Sequence, residues 1–207
     1  MITSLTAEKL ACARGERRLF ENLSFKVRAG QALAVEGANG AGKTSLLRLL
    51  AGFLAPAAGR VVIQQDGKDS DDAEDRDKCV GWLGHHDGLK PQLTVAEQLI
   101  FYAGLYGRAV DAAVLERVGL ARQAELPCRY LSAGQRRRLA LARLLVSQRP
   151  LWLLDEPFAA LDTSGQALVA QLMALHCGQG GIIIAATHDP LGLNNEILRI
   201  GNESLKL

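Results

Sequence analysis

The chain has 207 residues, and at roughly 100–200 residues per domain that length fits one domain or at most two small ones. Hydrophobic residues make up 48% and charged residues 22%, so a sizeable core can be buried and global disorder is excluded. A net charge of +2 gives no argument for nucleic acid or an anionic membrane surface.

Four cysteines, Cys12, Cys79, Cys128 and Cys177, form no C-x-x-C pair and read as buried free thiols. The opening stretch MITSLTAEKLACARGERR carries charges every few positions and has no signal-peptide core. No apolar run approaches the roughly 20 residues that cross a bilayer. The expectation is a cytoplasmic chain whose membrane association comes through a partner.

Short apolar runs alternate with helical patterns over most of the length, which predicts an α/β fold around a largely parallel, doubly covered sheet. Residues 5–36 differ: they read as three short strands with turns at Gly15 and Gly30, and predict an antiparallel sheet flanking the main one. Within them the apolar run 32–35 leads into Gly37, Ala38, Asn39, Gly40, Ala41, Gly42, Lys43 and Thr44, followed by residues 45–50 at helical spacing. This is G-x-x-x-x-G-K-[ST] between a strand and a helix. Its glycines let successive N–H groups turn inward around phosphate oxygens, and the helix N-terminus adds partial positive charge. Lys43 would reach the β and γ phosphates, and the Thr44 hydroxyl would ligate Mg²⁺.

A further strand is expected at 60–64, after the turn residues Pro56 and Gly59. Residues 66–78, DGKDSDDAEDRDK, hold seven acids and three bases and predict a solvated loop; no calcium-loop spacing is present. Helices are expected over 94–107 and 110–118, the first opened by Thr94 and Glu97 as a capping box. Next, Leu131, Ser132, Ala133, Gly134 and Gln135 precede a helix in which Leu139, Ala142, Leu145 and Val146 form one apolar stripe. A serine and a glycine at that N-terminus make a second anion site, which suits a nucleotide held by another copy.

The run 151–154 is a buried strand ending in Asp155, Glu156 and Pro157. An acid directly after a parallel strand sits at the carboxyl edge of the sheet, where open α/β folds bind ligands. Asp155 is placed to hold Mg²⁺, and Glu156 to orient and deprotonate a water attacking the γ-phosphate. A last strand spans 181–186 and precedes His188.

These motifs together resemble the ATP-binding-cassette family over nearly the whole chain. Residues 37–44 match Walker A, and 131–135 match the family signature with Ala133 where a glycine is usual. Residues 151–155 with Glu156 match Walker B, residues 160–162 the D-loop, and His188 the switch histidine. The resemblance implies a P-loop ATPase whose catalysis rests on Lys43, Glu156 and His188. It also implies ATP contacts from 37–44, Ser132, Gly134 and Gln135, and Mg²⁺ on Thr44 and Asp155. The implied assembly is a head-to-tail homodimer with two ATP molecules between Walker A of one copy and the signature of the other. The whole of 1–207 is read as one nucleotide-binding domain with a helical subdomain over about 94–147.

Two positions depart from the family pattern. Arg14 stands where an aromatic side chain usually stacks on adenine, and a guanidinium can stack there too. The Q-loop glutamine falls on His85, with His86 next. Either imidazole could face the Mg²⁺ site or a membrane partner, or both could be plain loop residues.

Within the family, LGHHDGLK at 83–90, LSAGQRRRLALAR at 131–143, Arg14 and the short tail after His188 are similar to the branch that drives haem export for cytochrome c maturation. That likeness implies an integral membrane permease partner, a peripheral position on the cytoplasmic face of a bacterial inner membrane, and no direct contact with haem or nucleic acid. A transporter ATPase for another substrate is the alternative. A soluble family member would be expected to carry two cassettes or a long coiled-coil insertion, and a P-loop GTPase an N-K-x-D motif; neither feature is present.

Overall fold

The computed structural model describes residues 2–15, 17–111 and 113–201. The helix expected at 110–118 and the tail after His188 run partly outside those residues, at 112 and 202–207. Two sheets form. Strands β1 (Ile2–Arg14), β2 (Arg17–Arg28), β4 (Ala58–Gln65) and β5 (Lys68–Ser70) make an antiparallel sheet in the order β2-β1-β4-β5. Strands β3 (Ala32–Glu36), β6 (Val80–Leu83), β7 (Leu151–Asp155), β8 (Ile182–Ala186) and β9 (Glu196–Arg199) make a second sheet in the order β6-β7-β8-β3-β9, all neighbours parallel.

The parallel strands are apolar throughout because both of their faces are covered, as side chains of successive residues leave on opposite sides. Leu151 and Leu153 of β7, with Ile182 and Ile184 of β8, face a core shared with the antiparallel sheet and helix α1 (Lys43–Leu50). Trp152, Leu154, Ile183 and Ala185 face the other side, against α5 (Ala133–Ser147) and α6 (Thr163–Gly178). Full burial of each such leucine or isoleucine contributes about 1.5–3 kcal/mol. A third cluster joins α3 (Val95–Leu105), α4 (Ala113–Arg117) and the far side of α5. The expected stripe of Leu139, Ala142 and Val146 is buried in that cluster, with Leu145 half-buried beside it, while Ala140, Leu141 and Leu144 pack on the sheet. Helix α5 is thus a shared wall between the sheet and the helical layer.

Helix α3 starts where Thr94 and Glu97 predict it, with both capping-box bonds formed: Glu97 N donates to Thr94 Oγ1 at 3.1 Å and Thr94 N to Glu97 Oε2 at 2.8 Å. Two expectations are corrected. The first 36 residues give two strands of 13 and 12 residues rather than short ones, and β3 joins the parallel sheet. Bulges near Leu10 and Cys12 break the apolar alternation that would have marked one long strand. The acidic run 66–78 is also no plain loop. It folds as β5 and a helix α2 (Ala73–Cys79), capped by Asp72 accepting from Glu74 N at 2.9 Å. Arg76 turns inward, buried, and donates to Val61 O at 3.0 Å, fixing the segment to β4. Among the cysteines, Cys12, Cys79 and Cys128 are buried and free, whereas Cys177 is only half-buried.

His176 near the end of α6 stacks on Trp152 at 3.9 Å and bonds to Pro150 O at 3.1 Å. Burial pushes its pKa down to about 4. Protons therefore bind the unfolded chain more tightly, so stability is flat above about pH 7 and falls as pH drops through the window between about 6.5 and 4. Between pH 7 and pH 5 this one group should remove about 2 kcal/mol of unfolding free energy. Urea titrations of wild type and His176→Phe, which keeps an aromatic face on Trp152, should differ by that amount in pH slope. Equal slopes would refute the assignment.

Among the described residues no helix is long and apolar enough to cross a membrane.

Candidate functional site

Parallel strands all deliver their carboxyl ends to one edge, so the loops after β3, β6, β7 and β8 converge there. The loops after β3, β6 and β7, with the tip of the β1–β2 hairpin, line an open cleft of about 520 Å³. Arg14, Arg17, Gly40, Lys43, Thr44 and Asp155 line it, with Glu156, His85 and loop residues Ala38 and Asn39. Most of the predicted first site is therefore brought together from distant parts of the chain.

The glycine-rich loop has steric reasons for its glycines. A Cβ on Gly37 would lie 2.4 Å from Ile200 O. Gly42 caps α1 at φ 105°, where a Cβ would press on Leu19 and the Phe20 ring at 3.2 Å. With Gly42 in that conformation, the first-turn N–H groups of α1 open toward the cleft, a ready anion site. Lys43 is nearly buried, and its Nζ donates to Gly37 O at 2.7 Å and lies 3.0 Å from His188 Nε2. The ammonium can donate to Nε2 only where that nitrogen carries a lone pair. That nitrogen is 3.7 Å from Glu156 Oε1.

Thr44 Oγ1 donates to Asp155 Oδ2 at 2.9 Å. Two hard oxygen donors thus sit side by side, and among the described residues no group of three or more His, Cys, Asp or Glu could hold a metal ion. That donor set fits Mg²⁺, which takes one or two carboxylates and completes its shell with substrate phosphates and water.

Glu156 is held in the left-handed region, at φ 50°, which costs a side-chain-bearing residue about 1–2 kcal/mol. The distortion turns the chain so that Asp155 and Glu156 both line the cleft. Glu156 N donates to Ala186 O at 2.8 Å and Thr187 N to Val35 O at 3.2 Å, which ties the loops after β7 and β8 to their neighbours.

Arg14 and Arg17 pair at the tip of the β1–β2 hairpin and put two cations at the mouth of the cleft. Only Arg14 was expected there. His85 lines the cleft, while the exposed His86 is not among its lining residues and touches His85 edge-on at 5.5 Å.

Ser132, Gly134 and Gln135 lie outside this cleft. Ser132 caps α5 and forms a reciprocal box: Gln135 N donates to Ser132 Oγ at 3.2 Å, and Ser132 N to Gln135 Oε1 at 2.8 Å. The S-x-x-Q spacing carried that signal in the sequence. A Cβ on Gly134 would stand 2.9 Å from Ala160 O, so glycine allows this helix start to abut the 160–162 turn. Ala160 is itself left-handed at φ 62°. Asp162 caps α6, accepting from Gly165 N at 2.8 Å, and that amide holds its carboxyl below the usual carboxylate range.

The contact set of Arg137 was not anticipated. In the sequence it is the middle of three arginines, a pattern usually found on a solvated face; in the fold it is buried and bonded to the loops after β6 and β7.

Comparison with known proteins agrees with the geometry. The family model described as "ABC transporter" matches residues 20–159. The "cytochrome c biogenesis ATP-binding export protein CcmA" of Rhodopseudomonas palustris is 53% identical over 199 residues, covering 95% of this chain and 98% of that protein. The protein of the same name from Bradyrhizobium diazoefficiens is 51% identical, with the same coverage. Among solved structures, a dimeric ATP-binding cassette in a post-hydrolysis state with ADP and phosphate superposes with a TM-score of 0.79 at 24% identity, covering 95% of this chain and 94% of its own. At that identity the likeness is one of fold.

Proposed function

The chain belongs to the ABC transporter family and is an ATPase, and on that premise we propose that it powers the haem exporter of cytochrome c biogenesis. The observation that carries the assignment to this branch is the identity of about half, nearly end to end, with export proteins of cytochrome c biogenesis. The cleft supports the hydrolytic role. We assign Lys43, with the N–H groups of residues 37–44, to the ATP phosphates, and Thr44 with Asp155 to Mg²⁺. When bound, that ion would neutralise charge building up between the β and γ phosphates.

The chain's own groups then act as follows. Lys43 Nζ exchanges its bonds to Gly37 O and His188 for phosphate oxygens. His188, freed from Lys43, turns a ring N–H toward the γ-phosphate. Glu156, beside it, accepts a hydrogen bond from the attacking water and aligns it. Arg14 contacts the base.

Ser132, Gly134 and Gln135 meet the nucleotide of a second copy, so that two ATP molecules bridge a homodimer and loss of the γ-phosphate loosens it. Residues 1–207 act as one nucleotide-binding domain, with 94–147 as its helical subdomain. The homodimer docks on an integral membrane permease at the cytoplasmic face of a bacterial inner membrane, without touching haem or nucleic acid.

Deleting the gene and measuring covalently bound haem in c-type cytochromes tests the assignment. Their loss, restored by wild type but not by a hydrolysis-deficient variant, is expected. Normal cytochrome levels would refute the haem role and leave the ATPase intact.

A further inference from the structure

Helix α5 sends one cation into the edge of the sheet. The Arg137 guanidinium is buried, with its side chain 4% exposed. One terminal nitrogen donates to Gly84 O at 2.8 Å and to Asp87 Oδ1 at 3.2 Å. The other donates to Asp155 O and, at 2.7 Å, to Glu156 O. A planar fork of donors is suited to this bridging, and bonds from a charged donor are the strong class. A buried charge is costly to desolvate and is tolerated where acceptors meet its donors; both terminal nitrogens of Arg137 are bonded, while its Nε has no partner among the described residues. Here the acceptors belong to two different segments: the loop after β6, which carries His85, and the end of β7 with the first residue beyond it, which carry Asp155 and Glu156.

The backbone that Arg137 grips at Glu156 is the left-handed one, at φ 50°. A strained residue persists only where its surroundings over-determine it. Ala186 O holds the N–H of Glu156 and Arg137 holds its C=O, so the peptide groups on both sides of the strained Cα are fixed. A second arginine of the same helix, Arg143, donates to Trp82 O at 2.8 Å and strengthens the seam between α5 and the end of β6.

We infer that Arg137 is a positioning residue for hydrolysis: it sets the direction of the Glu156 carboxylate and ties it to the loop 84–88 and to α5. Glu156 then keeps its alignment only while α5 and the His85 loop keep their places against the sheet. This rests on the reading of Glu156 as the group that aligns water.

The test compares the full chain as wild type, Arg137→Gln, Arg137→Lys, Asp87→Asn and Glu156→Gln, measuring kcat, KM for ATP, binding of a fluorescent ATP analogue and thermal unfolding. Arg137→Gln should lower kcat about 30-fold or more while KM and analogue affinity stay within about threefold, because a misaligned carboxylate costs turnover and not phosphate binding. Arg137→Lys, which keeps the charge but loses the fork, should recover part of kcat. A folded Arg137→Gln with wild-type kcat would overturn the inference. So would a fall in kcat matched by an equal fall in affinity, which would mark a merely structural role.

If Arg137→Gln does not fold, Asp87→Asn decides, since Asp87 is partly exposed and weakens the clamp from outside. Its kcat should fall about threefold to tenfold at unchanged affinity, and an unchanged kcat would overturn the clamp. Failure of the underlying reading looks different: Glu156→Gln would then turn over ATP like wild type.

Discussion

Replacing Glu156 by glutamine is expected to lower ATP turnover about 100- to 1,000-fold while ATP still binds with near wild-type affinity. The amide is isosteric, so the left-handed backbone at φ 50°, the bond to Ala186 O and the bond from Arg137 should survive. What disappears is the negative charge and basicity that the proposed mechanism assigns to orienting and deprotonating water. The groups assigned to phosphate, Lys43 and the α1 N-terminus, are untouched, which is why affinity should hold. If ATP bridges two copies, the variant should also accumulate as a dimer under saturating Mg·ATP, whereas wild type returns to monomer as ATP is consumed. Sedimentation with and without ATP checks this. A variant that hydrolyses ATP within about threefold of wild type would remove Glu156 from the mechanism, and a variant that stays monomeric would count against the bridged dimer.

Lys43→Ala should fail at the earlier step. Its ammonium is nearly buried at the loop mouth, held by Gly37 O at 2.7 Å and 3.0 Å from His188. A charge-assisted bond from such a group to phosphate is worth about 1.5–3 kcal/mol, so a net loss of one should weaken ATP binding about 10- to 100-fold. Titration calorimetry at fixed Mg²⁺ measures it directly. The contrast with Glu156→Gln is diagnostic: one variant loses affinity, the other turnover. An affinity within about threefold of wild type would mean that the backbone N–H groups alone hold the phosphates.

The candidate site was largely legible before any fold was known, because its chemistry is written in short contiguous strings. Residues 37–44 are glycine-rich and end in lysine and threonine, the form that a phosphate-wrapping loop requires, and Asp155 and Glu156 are adjacent in sequence. Arg76 and Arg137 were illegible for one shared reason. Each sits in a charged string that reads as solvated, and burial of a single member depends on carbonyls supplied from elsewhere: Val61 O for one, Gly84 O and Glu156 O for the other. Composition reports average polarity and cannot tell which one of three arginines turns inward. The acidic run 66–78 conceals a strand and a helix in the same way, and bulges that interrupt the alternation conceal the two long N-terminal strands.

The sequence by itself determined the α/β class, the phosphate loop, the carboxylate pair and the family resemblance, because each is a local pattern of residue types with its own physical requirement. Only the tertiary structure decided that Arg17 and His85 line the cleft, that Glu156 is held left-handed, and that Arg137 joins two loops at its back. Those facts depend on strand order and, for Arg17, on where the β1–β2 hairpin packs. β6, β7, β8 and β3 lie side by side and in parallel, so residues far apart in the chain reach one edge, and no local pattern encodes that neighbourhood.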